Sequence, residues 1–579
     1  MERDFTDHRI DRRTFLTGAA LGGATLMAGG LGPVAAALGK SGGQAWLDAT
    51  VPELQALMVS GALSSRELTQ LYLGRIGKLN PLVGAVIETN PQAIGIAAQR
   101  DAERKRGMVR GPLHGIPVLV KDNIASADRL ETTAGSFALE GSRVPRDSVV
   151  VAQLRRAGAV LLGKANLSEW ANFRGFPPPD FPFDTHFLNG WSGRGGFTYD
   201  PYLLSFDPCG SSSGSAVGPA ANLCAVAVGT ETDGSITCPA GNNLVVGLKP
   251  TVGLVAQDGI IPISHSQDTA GPMTRTVTDA AIMLNALRSP FGPVAERALP
   301  SDYTAFLDPD ALNGARIGID RRQFLPDYFA LPDINAVVDR AIDAMADAGA
   351  EIVDPVDPGD PFDWFDAEFF VLLHEFKGDI ANYLASLQKT SMRTLSDLIR
   401  FNIEHCSQEM RFFGQEIFEI SDSLSGALDD PDYLAARALC LELGRDQGID
   451  RALAQHDLDA IVTPSYAFGT SGPAVAGYPM LSLPVGISSE GRPAGMWLSG
   501  GFLSEPTLLA IGYALEQVLD ARTPPEFLGT RPGAPPDAGI CASLDTSATV
   551  KGKGKGKAAA KSAGKKLLVG TGRRPRPVF

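Results

Sequence analysis

The stretch "PCGSSSGSAVGPAANLCAVAVGTETDGSITCPA", residues 208–240, decides how this chain is read. Glycine and serine at that density are usual in flexible linkers. A linker, however, does not enclose "CAVAVGTE" (224–231), an apolar run of strand length. The pattern instead predicts two tight turns, one ahead of a small-residue helix and one straight after a buried strand. Ser211 falls on the first turn and Ser235 on the second, so a chain that folds back brings them together. Glycine-rich turns let backbone N–H groups converge on one point, and a hydroxyl placed there has donors beside it for an oxyanion.

A serine hydroxyl is a weak nucleophile and needs a base in reach. The chain has 7 histidines, none in a recognisable serine-hydrolase context. "GSSSG" (210–214) fits GxSxG on paper, but it follows Asp207-Pro208 and does not run out of an apolar strand. Lys121 is the better base, because it ends the apolar run of "GIPVLVKDNI" (115–124). Desolvation lowers a lysine's pKa until the amine is neutral and accepts a proton. The bland reading stays open on residues alone, since lysines at strand ends commonly reach solvent.

Outward from these motifs, helical and strand-like runs alternate. "TVPELQALMVSGALSSRELTQLYLGRIGKLN" (50–80) reads as two helices, the second capped by Ser64 or Ser65. "DSVVVAQLRRAGAVLLGKANLSEW" (147–170) reads as helix, strand, then a turn into another helix, and "DINAVVDRAIDAMADAGAEIVDPV" (333–356) as helix and strand. Thr276 and Asp279 form a capping pair opening another helix, and "SEPTLLAIGYALEQVL" (504–519) is a late amphipathic one. This alternation argues for an α/β sheet with helices packed on it, in one large domain without a linker between about Gln44 and Asp537. The Phe/Pro-rich Gly175–Phe187 is expected to be a surface loop, and Pro219 to kink the helix after the Gly/Ser turn.

With 579 residues, 44% of them hydrophobic and 20% charged, the chain has ample apolar residue to bury. Its net charge of −14 hides an asymmetry. Residues 551–579 carry seven lysines, three arginines and no acid, which leaves the body more acidic still. The acidic body is expected to exclude nucleic acid, and the segment 542–579 to be a disordered basic tail that touches an anionic surface at most. At the other end, Arg12-Arg13, a Gly/Ala-rich apolar run and Ala35-Ala36-Ala37 look like a twin-arginine export signal over 1–39. That signal implies the export machinery as a partner and a periplasmic or secreted destination. The 6 cysteines show no CxxC or zinc-like spacing, and folding before export takes place in a reducing compartment. Their thiols are expected to be mostly ordinary buried side chains.

"GIPVLVKDNI", "TTAGS" (132–136), "GKANLSEWANF" (163–173), "PCGSSSGSA", "GTETDGS" (229–235) and "VGLKPTVGLV" (246–255) together resemble the successive motifs of the amidase signature family. The likeness runs from near Leu54 to near Pro525, and within the family it is strongest to peptide amidases, which remove the C-terminal amide of peptides. The resemblance implies one amidase-signature domain over 44–537, a mixed central β-sheet covered by helices on both faces. It implies a Ser–cis-Ser–Lys triad in which Ser235 attacks, Ser211 bridges and Lys121 is the ultimate base. Aligning "CGSSSGS" with the family pattern selects Ser211 over Ser212 and Ser213. The backbone N–H groups of Thr232, Asp233, Gly234 and Ser235 would form the oxyanion hole, with no metal and no organic cofactor required.

The implied substrates are peptide amides or, alternatively, small aliphatic or aryl amides. A glutamine-hydrolysing tRNA amidotransferase subunit is a rival that the acidic body and export signal oppose. A nucleotide-binding reading of "GAVLLGKA" (158–165) fails on its terminal alanine and its strand-like interior. A non-catalytic protein acting through its basic tail is the rival from another class. His114, His265, Trp170 and Trp191 read as structural residues, and Ser266–Pro272 as a segment that positions the second turn.

Overall fold

The computed structural model describes residues 43–176, 189–292 and 294–544. The expected export signal over 1–39, most of the Phe/Pro-rich segment and residues 545–579 of the expected basic tail lie outside the described residues.

Among the described residues thirteen strands are formed: β1 (Val86–Thr89), β2 (Pro117–Lys121), β3 (Val160–Ala165), β4 (Trp191–Ser192), β5 (Gly196–Phe197), β6 (Val226–Glu231), β7 (Val246–Lys249), β8 (Thr269–Thr274), β9 (Arg316–Ile319), β10 (Glu351–Val353), β11 (Ala460–Pro464), β12 (Met480–Ile487) and β13 (Pro493–Ser499). Eleven of them make one sheet in the order β1-β3-β2-β6-β8-β7-β12-β13-β11-β9-β10, while β4 and β5 form a small ribbon. The sheet is mixed, as expected. β2 runs parallel to both β3 and β6, and β9 parallel to β10 and β11. The connections from β6 through β8, β7, β12 and β13 to β11 are antiparallel.

Every residue of β2, β3 and β6 is buried. Strands covered on both faces read as continuous apolar runs, which is why "VLV", "VLL" and "AVAV" were recognisable. The central core accordingly gathers Val118, Leu119, Val120, Leu162, Val226 and Val228, each with no exposed surface. The pairing Val120↔Val228 sets β2 and β6 side by side in one direction. Their carboxyl ends, Lys121 and Glu231, therefore emerge at the same edge of the sheet, where open α/β sheets bind ligands.

Local signals set the helices. Thr50 and Ser64 each accept from the backbone of a glutamate three residues on, closing capping boxes at Val51–Ser60 and Ser65–Val83. Thr276 caps Val277–Leu287 through Asp279 N, while Asp279 Oδ1 accepts from Val51 N at 2.9 Å instead of reaching back to the cap. Pro219 lies inside the helix Ser213–Ala220, one residue before its last, and the helix continues past it. "AVLLGKA" is the strand β3, with Lys164 buried within it, so no phosphate-cradling loop exists there.

The cysteines depart from expectation. Four of the six pair, Cys209 with Cys238 and Cys406 with Cys541. Only Cys224 and Cys440 are buried thiols, each pushed up to about 12 by burial and hence inert. Sequence separations of 29 and 135 carry no local pattern; only the fold brings these partners together. The Cys406–Cys541 bond also holds the chain to the body past Asp537, and closing so long a loop removes about 5 kcal/mol of denatured-state entropy.

Truncating Leu119, which is wholly buried in β2, is expected to destabilise the protein by about 2–5 kcal/mol. Val59→Ala at a site 76% exposed should change stability by less than about 0.5 kcal/mol. Urea unfolding midpoints of the two variants measure the contrast, and equal effects would contradict the placement of the core.

Candidate active site

At the shared carboxyl edge of β2 and β6, the Lys121 amine is completely buried. Its Nζ donates to Ser211 Oγ at 2.7 Å, to Thr230 Oγ1 at 2.9 Å and to the Thr230 carbonyl at 3.1 Å. Asn123 Nδ2 donates to the same Thr230 hydroxyl at 3.0 Å, fixing it from the other side. Burial is the main influence on the amine and lowers its pKa to about 7, against the opposing pull of Asp268 and Glu231. At neutral pH a substantial fraction of Lys121 is therefore uncharged.

Two other lysines, Lys164 and Lys249, are equally buried. Lys164 donates to the Ile124 carbonyl and Thr132 Oγ1, and Lys249 to the carbonyls of Tyr478 and Pro473. Among the described residues, Lys121 is thus the buried lysine that meets a serine hydroxyl. Pattern alone did not separate the three.

The serine run is resolved in the same way. Ser212 Oγ donates to the Thr230 carbonyl at 2.9 Å and accepts from Thr230 N, stitching the turn to β6. Ser213 Oγ is bonded to the Cys209 carbonyl and starts the helix Ser213–Ala220. Ser211, which follows a cis peptide bond from Gly210, is left facing the lysine.

Ser235 sits on the turn after β6 and retains 7% exposure, whereas Ser211 has none. The two turns are joined by Ser212 N, which donates to the Ser235 carbonyl at 3.1 Å. Glu231 anchors the far side of the second turn by accepting from Ile236 N at 2.7 Å and Thr237 N at 2.9 Å. Among the described residues, none of the N–H groups of Thr232, Asp233, Gly234 and Ser235 donates to a protein acceptor. Gly234 takes φ +77°, and a Cβ there would stand 3.3 Å from Thr470 Oγ1, so glycine suits the turn on both counts.

The segment Ser266–Pro272 does buttress this turn. Thr232 Oγ1 donates to Asp268 Oδ1 at 2.5 Å, and Asp268 is fixed in turn by Ile263 N and Ser264 N. Gln267 Nε2 donates to Glu368 Oε1 at 2.9 Å, and Glu368 Oε2 accepts from Ser471 Oγ. Burial is the main influence raising the carboxyls of both Asp233 and Glu368, with Glu231 adding to it at the first and Asp233 at the second.

A cavity of about 640 Å³ opens beside the turn, lined among others by Asn123, Thr230, Thr232, Ile261, His265 and Tyr383. It reaches the turn at Thr232 and does not include Ser235. His265, at its rim, faces Asp379 at 2.9 Å and Glu375 at 3.5 Å, a grouping compact enough for a metal. Both Glu375 oxygens are already engaged, by Ser264, Ser266 N and the Tyr433 hydroxyl, so the group reads as a hydrogen-bonded corner of the wall. His114, Trp170 and Trp191 are buried, in agreement with a structural role. Sequence reading missed Thr230 and Asn123; their only signal was proximity to the strand ends. It also missed the Cys209–Cys238 bond between the turns.

Comparison with known proteins agrees with this architecture. The native peptide amidase of Stenotrophomonas maltophilia, a solved structure, is 47% identical with a TM-score of 0.76, covering 83% of this chain and 99% of that one. A complex of the peptide amidase PAM with the competitive inhibitor chymostatin is 48% identical, with a TM-score of 0.76 over 82% and 99% of the two chains. A probable amidase of Arabidopsis thaliana is 41% identical over 495 residues, 83% of this chain and 92% of the relative. The family model described as Amidase matches residues 67–509. With the strand-end lysine, the serine run and the buttressed turn all lying inside that match, the chain belongs to the amidase signature family and is an amidase.

Proposed function

We propose that Lys121, Ser211 and Ser235 form a Ser–cis-Ser–Lys relay that hydrolyses the C-terminal carboxamide of peptides. The observation that carries this reading is the buried Lys121 amine 2.7 Å from Ser211 Oγ. Neutral Lys121 takes a proton from Ser211 as Ser211 takes one from Ser235, and Ser235 Oγ adds to the amide carbonyl. The N–H groups of Thr232 to Ser235 hold the resulting oxyanion, each donor worth about 3 kcal/mol in the transition state. The relay then runs in reverse. The C–N bond breaks as the leaving nitrogen takes the proton, ammonia departs, and an acyl ester remains on Ser235. Water, deprotonated through the same relay, adds to that ester and releases the acid and the serine. Every proton stays within the substrate, water and three side chains.

Similarity to peptide amidases at 47–48% identity supports peptide amides as the substrate class. The cavity beside the turn, walled by Ile261 and Tyr383, offers room for a peptide's terminal residues. Two disulfides support a destination in an oxidising compartment. The basic tail is proposed to serve adhesion and not turnover.

Ser235→Ala is expected to abolish ammonia release from peptide amides with unchanged melting temperature, and Lys121→Ala to reduce it about 10²–10⁴-fold. Near-normal turnover in either variant would remove the relay, whereas preference for aliphatic or aryl amides would remove only the peptide assignment. Because Lys121 accepts a proton only when uncharged, log kcat/KM should rise with pH and level off above about 7. Initial rates on a peptide amide from acid to mildly alkaline pH give this profile, and a flat one would contradict the lysine base. Removing residues 549–579 should leave kcat/KM unaltered, and N-terminal sequencing of secreted protein should find cleavage near Ala37. Retention of the N-terminus inside cells would refute export.

A further inference from the structure

Cys209 lies two residues before Ser211, and Cys238 three residues after Ser235. Their disulfide, with Cα atoms 5.9 Å apart, therefore links the two serine turns almost at the serines themselves. Cys209 is 2% exposed, in a left-handed conformation at φ +53°, with its N–H held by Asp207 Oδ1. Cys238 is the second residue of the helix Thr237–Asn242, and its N–H donates to the carbonyl of Gly234, inside the turn that carries Ser235. Asn242 Nδ2 and Asn243 Nδ2 reach back from the end of that helix to the carbonyls of Asp207 and Pro208. These contacts and Ser212 N to Ser235 O make a seam, of which the disulfide is the covalent member.

We propose that Cys209 and Cys238 are a positioning pair for the amidase reaction: their bond sets the spacing of the bridging and attacking serines. The inference rests on the relay proposed above. A cross-link that only stabilised the fold would restrain the unfolded chain wherever its ends met. This one restrains the native geometry of the reacting groups, where displacement by about 1 Å costs on the order of 10²-fold in rate.

The test uses the full chain in a Cys406→Ser/Cys541→Ser background, so that only this bond responds. Dithiothreitol supplies two electrons and two protons; the S–S bond breaks, each cysteine becomes a thiol, and the reagent closes to its cyclic disulfide. Reduced protein, verified by mass spectrometry, should show kcat lowered about 10–100-fold with KM for a peptide amide within about twofold. Reoxidation with oxidised glutathione should restore kcat, and Cys209→Ala/Cys238→Ala should reproduce the reduced value. Retention of kcat in the verified dithiol overturns the proposal. So does a loss of kcat that is accompanied, in both the reduced protein and the double variant, by loss of the far-UV circular dichroism of the fold. Ser235→Ala in the oxidised protein separates the two readings, since activity there would refute the relay and not the role of the bond.

Discussion

The site depends on burying one amine. Removing a lysine ammonium from water is costly, and a protein that does so ordinarily neutralises the group or pairs it with a carboxylate. Among the described residues no carboxylate touches Lys121; its three acceptors are the Ser211 hydroxyl and the hydroxyl and carbonyl of Thr230. The acids that act on it, Asp268 and Glu231, do so at a distance and oppose the effect of burial only in part. That balance favours an uncharged amine over a permanent cation, as the proposed relay requires. Asp268 and Glu231 are themselves tied elsewhere, to Thr232 and to the N–H groups of Ile236 and Thr237.

The surrounding sheet makes this burial possible. Parallel β2 and β6 deliver the lysine and the turn that carries Ser235 to one edge, and β8 pairs with β6 through Glu231↔Thr269. That last register decides which residue opposes Thr232, because Asp268 immediately precedes β8. A backbone pairing inside the core is thus converted into a side-chain contact at the surface of the site. Polar satisfaction follows the same economy: Ser212 and Ser213 serve backbone groups, leaving Ser211 for the amine.

Much of this was legible in the chain itself. Strands β2, β3 and β6 stood out as unbroken apolar runs because both faces are covered, and Thr50, Ser64 and Thr276 announced their helices. Ser211 and Ser235 were recognisable as turn residues, while their roles came from resemblance to a family. What escaped was set by distance along the chain. Nothing local marks Thr230 and Asn123 as partners of Lys121, or distinguishes Lys121 from Lys164 and Lys249, all of which end or occupy buried strands. The disulfides escaped for the same reason, and an argument from compartment pointed the wrong way.

The register of β6 against β8 has a consequence for when the protein is able to act. The groups of the proposed relay and its buttress extend from Lys121 to Asp268, and no shorter stretch contains the lysine, both serines and the aspartate that holds the turn. Pairings between strands so remote in sequence close slowly and together. A nascent or half-folded chain therefore holds all the ingredients of a hydrolase without their alignment. The alignment is thus a property of the finished fold and of no single segment within it.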